Sequence, residues 1–212
     1  MTRPFIFDFD GTLVNSENAI YQSFYEITKE LAPDRIEFVK KIIIGPPLHE
    51  TAKEILGNDK LNLIDTFISS FIAIHDNEVV LYSTPYINVS KTLKKLHQKK
   101  IPMAIATNKR KEPTIKLINH FKWNKYFSVI ECSNCNDVIR NKSEIIKQII
   151  IDYPVFNDAI FVGDTLGDGK ASNDNHIDFI KVNYGYGQNQ NWKKIKIFKE
   201  ITSKKNTYGY CN

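Results

Sequence analysis

Along the chain, short apolar runs alternate with segments in which apolar residues recur every third or fourth position. Phe5-Ile6-Phe7 leads into Asp8, Met103-Ala104-Ile105-Ala106 into Thr107, and Ala159-Ile160-Phe161-Val162 into Gly163-Asp164. Residues 126–130 and 179–182 form two further runs. Runs of this length suit strands covered on both faces of a parallel sheet. Helical patterns lie between them. Val89, Leu93 and Leu96 share one face after Asn88, and Pro113 stands where a first turn would begin, ahead of Ile115, Ile118 and Phe121. Ser143 can cap a helix that buries Ile145, Ile146, Ile149 and Ile150. Strands alternating with helices predict an α/β fold.

Residues 15–84 break this alternation. Tyr21, Phe24, Tyr25, Ile27 and Leu31 fit one amphipathic helix; Ala52, Ile55 and Leu56 fit a second. Leu63, Ile64, Phe67, Ile68, Phe71 and Ile72 fit a third, and no buried strand stands out. The stretch reads as an inserted helical domain hinged near residues 13–16 and 81–85. Residues 1–14 and 85–212 are left to the sheet-bearing core. The tail after Asn183 is polar and receives no element.

Composition narrows the picture little. The 212 residues are 42% hydrophobic and 25% charged, enough for a core and an insertion, without a disorder signature. The net charge of +5 comes from scattered lysines, not from a run, which argues for solvated surface and against a nucleic-acid partner. The apolar run at the start is too short for a signal peptide and Asp8 interrupts it; no stretch is long enough to span a membrane. Three cysteines suit a reducing cytoplasm. Cys132-Ser133-Asn134-Cys135 has the spacing of half a zinc site, but no second pair accompanies it, so it reads as a reduced pair beside Cys211.

The chemistry concentrates at strand ends. Asp8, Thr107 and Asp164 each close an apolar run, and ligands of open parallel sheets bind beyond the carboxyl ends of the strands. In Asp8-Phe9-Asp10-Gly11-Thr12, one carboxylate can attack phosphorus while the other handles the leaving group's proton. Gly11 allows a sharp turn whose amides, with Thr12, can hold phosphate oxygens. An ordinary Asx turn uses the same residue types. Thr107 and Asn108 can bind a transferring phosphoryl group, and Lys142 can neutralise charge as phosphoryl transfer requires. Asp164 and Asp168 add two acids, and a magnesium ion would relieve their repulsion with Asp8. Gly167-Asp168-Gly169-Lys170-Ala171 is not a P-loop, because no Ser or Thr follows the lysine.

Together these segments resemble the haloacid dehalogenase superfamily of phosphohydrolases, with its Rossmann-like core and helices on both faces of the sheet. The motifs are Asp8-Phe9-Asp10-Gly11-Thr12-Leu13-Val14-Asn15-Ser16, Ile105-Ala106-Thr107-Asn108-Lys109, Asn141-Lys142-Ser143-Glu144 and Phe161-Val162-Gly163-Asp164-Thr165-Leu166-Gly167-Asp168. Within it the chain is similar to phosphoglycolate phosphatases, whose helical cap corresponds to residues 15–84. Ile44-Gly45-Pro46-Pro47-Leu48 resembles their cap loop, and Asn183-Tyr184-Gly185-Tyr186-Gly187 a late strand-end segment. The resemblance implies that Asp8 forms an aspartyl-phosphate and Asp10 protonates the leaving oxygen, then activates water. It implies that Asp8, the carbonyl of Asp10 and Asp164 hold Mg2+, with Asp168 a direct or indirect ligand. The expected activity is hydrolysis of a small, phosphoglycolate-like phosphomonoester by a monomer or homodimer. The alternatives are a phosphosugar mutase, a nucleoside monophosphate phosphatase and a non-catalytic phosphate-binding module. The chain departs from the pattern at Gly169-Lys170-Ala171-Ser172-Asn173-Asp174-Asn175-His176-Ile177, where relatives carry an alanine-rich helix and a glycine turn.

Overall fold

The computed structural model describes residues 3–135 and 140–202; Cys211 lies outside them. The apolar runs form strands β1 (Phe5–Phe7), β4 (Met103–Thr107), β5 (Val129–Cys132), β6 (Ile160–Gly163) and β7 (Asp178–Val182), joined by β8 (Lys199–Ile201). They pair in parallel in the order β5-β4-β1-β6-β7-β8. The chain starts at the centre, adds β4 and β5 on one side, then crosses to add β6, β7 and β8 on the other. That reversal opens a crevice at the carboxyl ends of the central strands.

Register sends alternate residues to two cores. Ile6 lies opposite Ala104 and Phe161, and all three pack with Ile145, Ile149 and Ala171. Those partners lie on helices α7 (Lys142–Asp152) and α8 (Leu166–Asp174). Phe7 lies opposite Ile105 and Val162, and these pack with Leu93, Leu117 and Trp123 on the other face. That face is covered by α5 (Val89–Gln98) and α6 (Lys111–His120). Burial of both faces explains why these strands are continuously apolar.

The insertion comprises α1 (Glu17–Leu31), α2 (Ile36–Val39), α3 (Leu48–Leu56) and α4 (Ile64–Glu78). It has its own hydrophobic cluster, centred on Phe24, Ile27, Ile55, Leu56, Phe67 and Phe71. Two short strands, β2 (Val14–Asn15) and β3 (Thr84–Pro85), pair antiparallel where the chain leaves and re-enters the sheet unit. Among the described residues no helix is long and apolar enough to cross a membrane.

Four details depart from the sequence expectations. The strand expected at residues 126–130 lies at Val129–Cys132, because Tyr126 closes a turn onto the Trp123 carbonyl. Helix α7 is capped by Asn141, not Ser143. Asn141 accepts from the Glu144 amide at 3.0 Å while the Glu144 carboxylate accepts from the Asn141 amide at 2.9 Å, a reciprocal box that Ser143 cannot form. Helix α6 begins at Lys111, so Pro113 is the third helical residue, where the missing N–H costs nothing. After α8 the chain turns at His176, whose φ of 56° takes the left-handed conformation that glycine adopts most readily.

Candidate active site

Asp8 follows β1 directly, Thr107 ends β4, Asp164 follows β6, and Lys142 opens α7, so four elements deliver polar groups to one rim. All four side chains are buried. Oxygens of Asp8, Asp164 and Asp168 lie within 4.8 Å of one another. The Lys142 ammonium bonds the Asp8 carboxylate and reaches Asp168 Oδ1 at 2.9 Å. Asp168 divides its work. Its Oδ2 accepts from the Thr165 and Asp164 amides at 2.9 and 3.2 Å and from the Thr165 hydroxyl at 2.7 Å, capping α8. A carboxylate at that helix start also meets the favourable end of the helix dipole.

The cluster is electrostatically crowded. Burial, then repulsion from Asp168, pushes the Asp8 carboxyl up to about 7 although Lys142 stands beside it. Burial, Asp168 and Asp8 raise Asp164 well above the ordinary carboxylate range. Burial works against the Lys142 ammonium, yet Asp168 and Asp8 outweigh it and hold its pKa above the usual lysine value. One ammonium does not balance three buried carboxylates. Hard oxygen donors at this spacing fit a divalent cation such as Mg2+, which would relieve the mutual repulsion.

Asp10 stands apart from this trio. Its carboxylate accepts from the Ser16 hydroxyl at 2.5 Å and pairs with the Lys109 ammonium at 3.2 Å. Ser16 is held in turn by the Tyr186 hydroxyl, which accepts from the Ser16 amide at 3.0 Å. Beyond Asp10, Lys109 donates to His75 Nε2 at 3.1 Å, and His75 Nδ1 faces the Ser23 hydroxyl at 3.3 Å. A polar strap therefore runs from the sheet rim into α1 and α4. Arg110 bonds both Asp76 oxygens at 3.0 and 3.1 Å, and Asn108 donates to the Gly45 carbonyl at 3.2 Å, closing the two units further.

Two residues expected to bind phosphate have other contacts. The Thr12 hydroxyl donates to Asp164 Oδ1 at 3.1 Å, and the Gly11 amide donates to the Val14 carbonyl at 2.8 Å. Gly11 has a φ of 81°, and a Cβ there would stand 2.3 Å from Asp164 Oδ2. Its role is to let the turn approach Asp164. Gly185 crowds the same oxygen, and the Tyr186 amide donates to it at 2.6 Å. The Thr107 hydroxyl accepts from the Lys109 amide at 3.1 Å. Cys132, the register partner of Thr107 on β5, and Cys135 are buried free thiols, and among the described residues the aspartate trio is the only cluster of three or more such ligands.

A cavity of about 120 Å3 opens from Asp8, Thr107 and Lys142 toward Phe24, Ile44 and Phe71. Sequence reasoning did not single out Ser16, His75 or Tyr186, and gave Lys109 no role. The available signals were the Phe67, Phe71, His75 stripe at four-residue spacing and the position of Lys109 beside Thr107 and Asn108.

A model of the family "haloacid dehalogenase-like hydrolase" matches residues 5–182. The chain is 25% identical over 186 residues to tyrosine-protein kinase PtkA of Mycobacterium tuberculosis, covering 86% of this chain and 62% of that protein. It is 32% identical over 126 residues to pyrophosphatase PpaX of Halalkalibacterium halodurans, covering 59% of this chain and 57% of that one. It thus spans less than two thirds of the length of either. Identity to phosphoglycolate phosphatase of Rhodobacter capsulatus is 24% over 193 residues, covering 88% and 86% of the two chains. The fold matches a crystal structure of a predicted phosphatase from Clostridium acetobutylicum with a TM-score of 0.83 at 23% identity, over 96% and 94% of the two chains.

Proposed function

The chain belongs to the haloacid dehalogenase-like hydrolases, and on that premise we propose that it is a magnesium-dependent phosphatase of small phosphomonoesters, acting through an aspartyl-phosphate on Asp8. The observation that carries the reading is the buried Asp8–Asp164–Asp168 trio held by Lys142 at the mouth of the cavity. A pure phosphate binder has no use for three carboxylates where a dianion must sit.

Asp8, Asp164 and, through its backbone carbonyl, Asp10 would hold Mg2+, with Asp168 fixed by Lys142 and Thr165 behind them. The ion supplies charge neutralisation that lets a carboxylate approach a phosphate dianion. Asp8 attacks phosphorus and the ester P–O bond breaks. Asp10 gives its proton to the departing oxygen; it then takes a proton from the water that attacks the phosphoryl group, freeing phosphate and restoring Asp8. Lys142 balances the charge, and Thr107 and Asn108 orient the phosphoryl oxygens. Ser16 and Lys109 hold the Asp10 carboxylate toward the reacting atoms. Residues 15–84 act as a cap that closes over substrate on hinges at β2 and β3 and excludes water. The named relatives, a phosphoglycolate phosphatase and a pyrophosphatase, lend general support to phosphate hydrolysis.

The test is release of inorganic phosphate from a panel of small phosphomonoesters, with Mg2+ and with EDTA. Turnover requires Mg2+ and disappears in Asp8→Asn. Turnover of no panel member, or an Asp8→Asn variant equal to wild type, overturns the proposal. Isomerised sugar phosphate formed without free phosphate would instead assign a mutase.

A further inference from the structure

Among the described residues, the half of the cavity that must receive the leaving group is apolar and holds no uncommitted cation. From this we infer that the preferred substrate is a phosphomonoester of a small, uncharged, apolar alcohol, and that phosphoglycolate and pyrophosphate are poor substrates. The inference rests on the phosphatase reading and narrows it.

Opposite Asp8 and Lys142, the cavity is walled by Ile20, Phe24, Ile43, Ile44, Leu48 and Phe71. Phe24 and Phe71 pack against each other within that wall, with ring centroids 4.3 Å apart. The polar side chains on the wall are Thr51 and His75. Thr51 turns back toward the Pro47 carbonyl at 3.5 Å, and His75 is engaged on both ring nitrogens. Burial, then the charges of Lys109 and Arg110, push the His75 imidazole down to about 2, so it offers no positive charge.

Among the described residues, the three cations lining the cavity each have carboxylate partners. Lys142 serves Asp8 and Asp168. Lys109 pairs with Asp10 at 3.2 Å and donates to His75 at 3.1 Å. Arg110 spans Asp76 and Glu112, each at 3.0 Å. The carboxylate of glycolate, or the second phosphate of pyrophosphate, would lie against Phe71 and Leu48. It would be stripped of water without a partner, or would take Lys109 from Asp10 and leave the Asp10 carboxyl without the ammonium that positions it. Either outcome weakens the transition state more than the ground-state attraction of any remote lysine could restore. An alkyl group, by contrast, gains from this wall.

Propyl phosphate and 2-phosphoglycolate form a matched pair, similar in size and differing in the terminal charge. Steady-state kcat/KM with Mg2+ on these two and on pyrophosphate gives the direct test. Propyl phosphate is expected to exceed both anionic substrates by at least about tenfold. The cavity-lining, half-exposed Ile43 allows a charge to be introduced without disturbing the core. Ile43→Lys is expected to shift the propyl-to-glycolate ratio toward phosphoglycolate by about tenfold while thermal unfolding stays unchanged. Equal rates on the matched pair, or preference for either anion, overturn the inference and leave the phosphatase reading intact. An absence of turnover on all three and on the wider ester panel removes both.

Discussion

Two walls face each other across one cavity. At the sheet rim, Asp8, Asp164, Asp168 and Lys142 are buried charges delivered by β1, β6, α8 and α7, and each is fixed by at least one hydrogen bond to another part of the chain. The helical wall is made of Phe24, Ile44, Leu48 and Phe71, of which Phe24 and Phe71 belong to the core of the insertion and Leu48 packs beside it. The rim sets a reaction and leaves little freedom in where charge can lie. The wall sets which group leaves, through shape and the lack of a counter-charge. Substitutions at the rim should therefore change rate and fold stability, and substitutions at the wall should change substrate choice.

After loss of the nucleophile Asp8 itself, the strongest expected break lies at Asp10, the residue that joins the two. Asp10→Asn removes the proton donor while keeping most of its contacts, and kcat is expected to fall about 10²- to 10⁴-fold with a smaller change in KM. Steady-state kinetics decide this; an unchanged kcat would assign the proton to another group. Next is Lys142→Met, which leaves buried carboxylates without their ammonium. Denaturant unfolding in EDTA is expected to show a loss of about 3–5 kcal/mol, and a loss below about 1 kcal/mol would mean that the pair contributes little to the folded state.

The strap at His75 sharpens the comparison through pH. The folded pKa is pushed down to about 2 by burial, Lys109 and Arg110, while the unfolded chain titrates near the ordinary histidine value. The folded state thus binds fewer protons below about pH 6.5. The contribution of neutral His75 is complete above that pH and is lost as pH falls through it. Between about pH 6.5 and about pH 5, wild type is expected to lose on the order of 1 kcal/mol per pH unit from this residue, and His75→Gln correspondingly less. Parallel acid limbs in denaturant titrations of the two proteins would contradict the assignment. The smallest effect belongs to Arg110→Gln, which breaks a partly exposed pair with Asp76. It is expected to cost under about 1 kcal/mol, less in high salt, and to raise KM more than it lowers kcat.

The two walls were also unequally legible from sequence. Asp8, Thr107 and Asp164 each close an apolar run, and Lys142 stands before a strongly patterned helix, so local grammar marks them. Residues 48, 24 and 71 carry the same hydrophobic signal whether they line a core or a cavity, and periodicity cannot separate the two. His75 looks like one more member of a helix stripe, and its partner Lys109 lies 34 residues away. The contacts of Thr12 and Gly11 depend on Asp164, more than 150 residues on. Strand β8 was invisible because its three exposed residues contain no apolar run, and β2 and β3 because two residues form no pattern. The helix start at Asn141 was readable in its spacing to Glu144, but Ser143 offered a competing cap.

The central claim is that Asp8 itself takes the phosphoryl group, with a divalent ion held in the carboxylate cluster. Acid-quenched wild-type protein, digested and mapped by mass spectrometry after a brief pulse of a turned-over ester, tests it most directly. The account predicts a phosphoryl mass increment confined to the peptide bearing Asp8, present with Mg2+ and absent with EDTA. Phosphate release with no adduct under single-turnover conditions, or an adduct on another side chain, would contradict it.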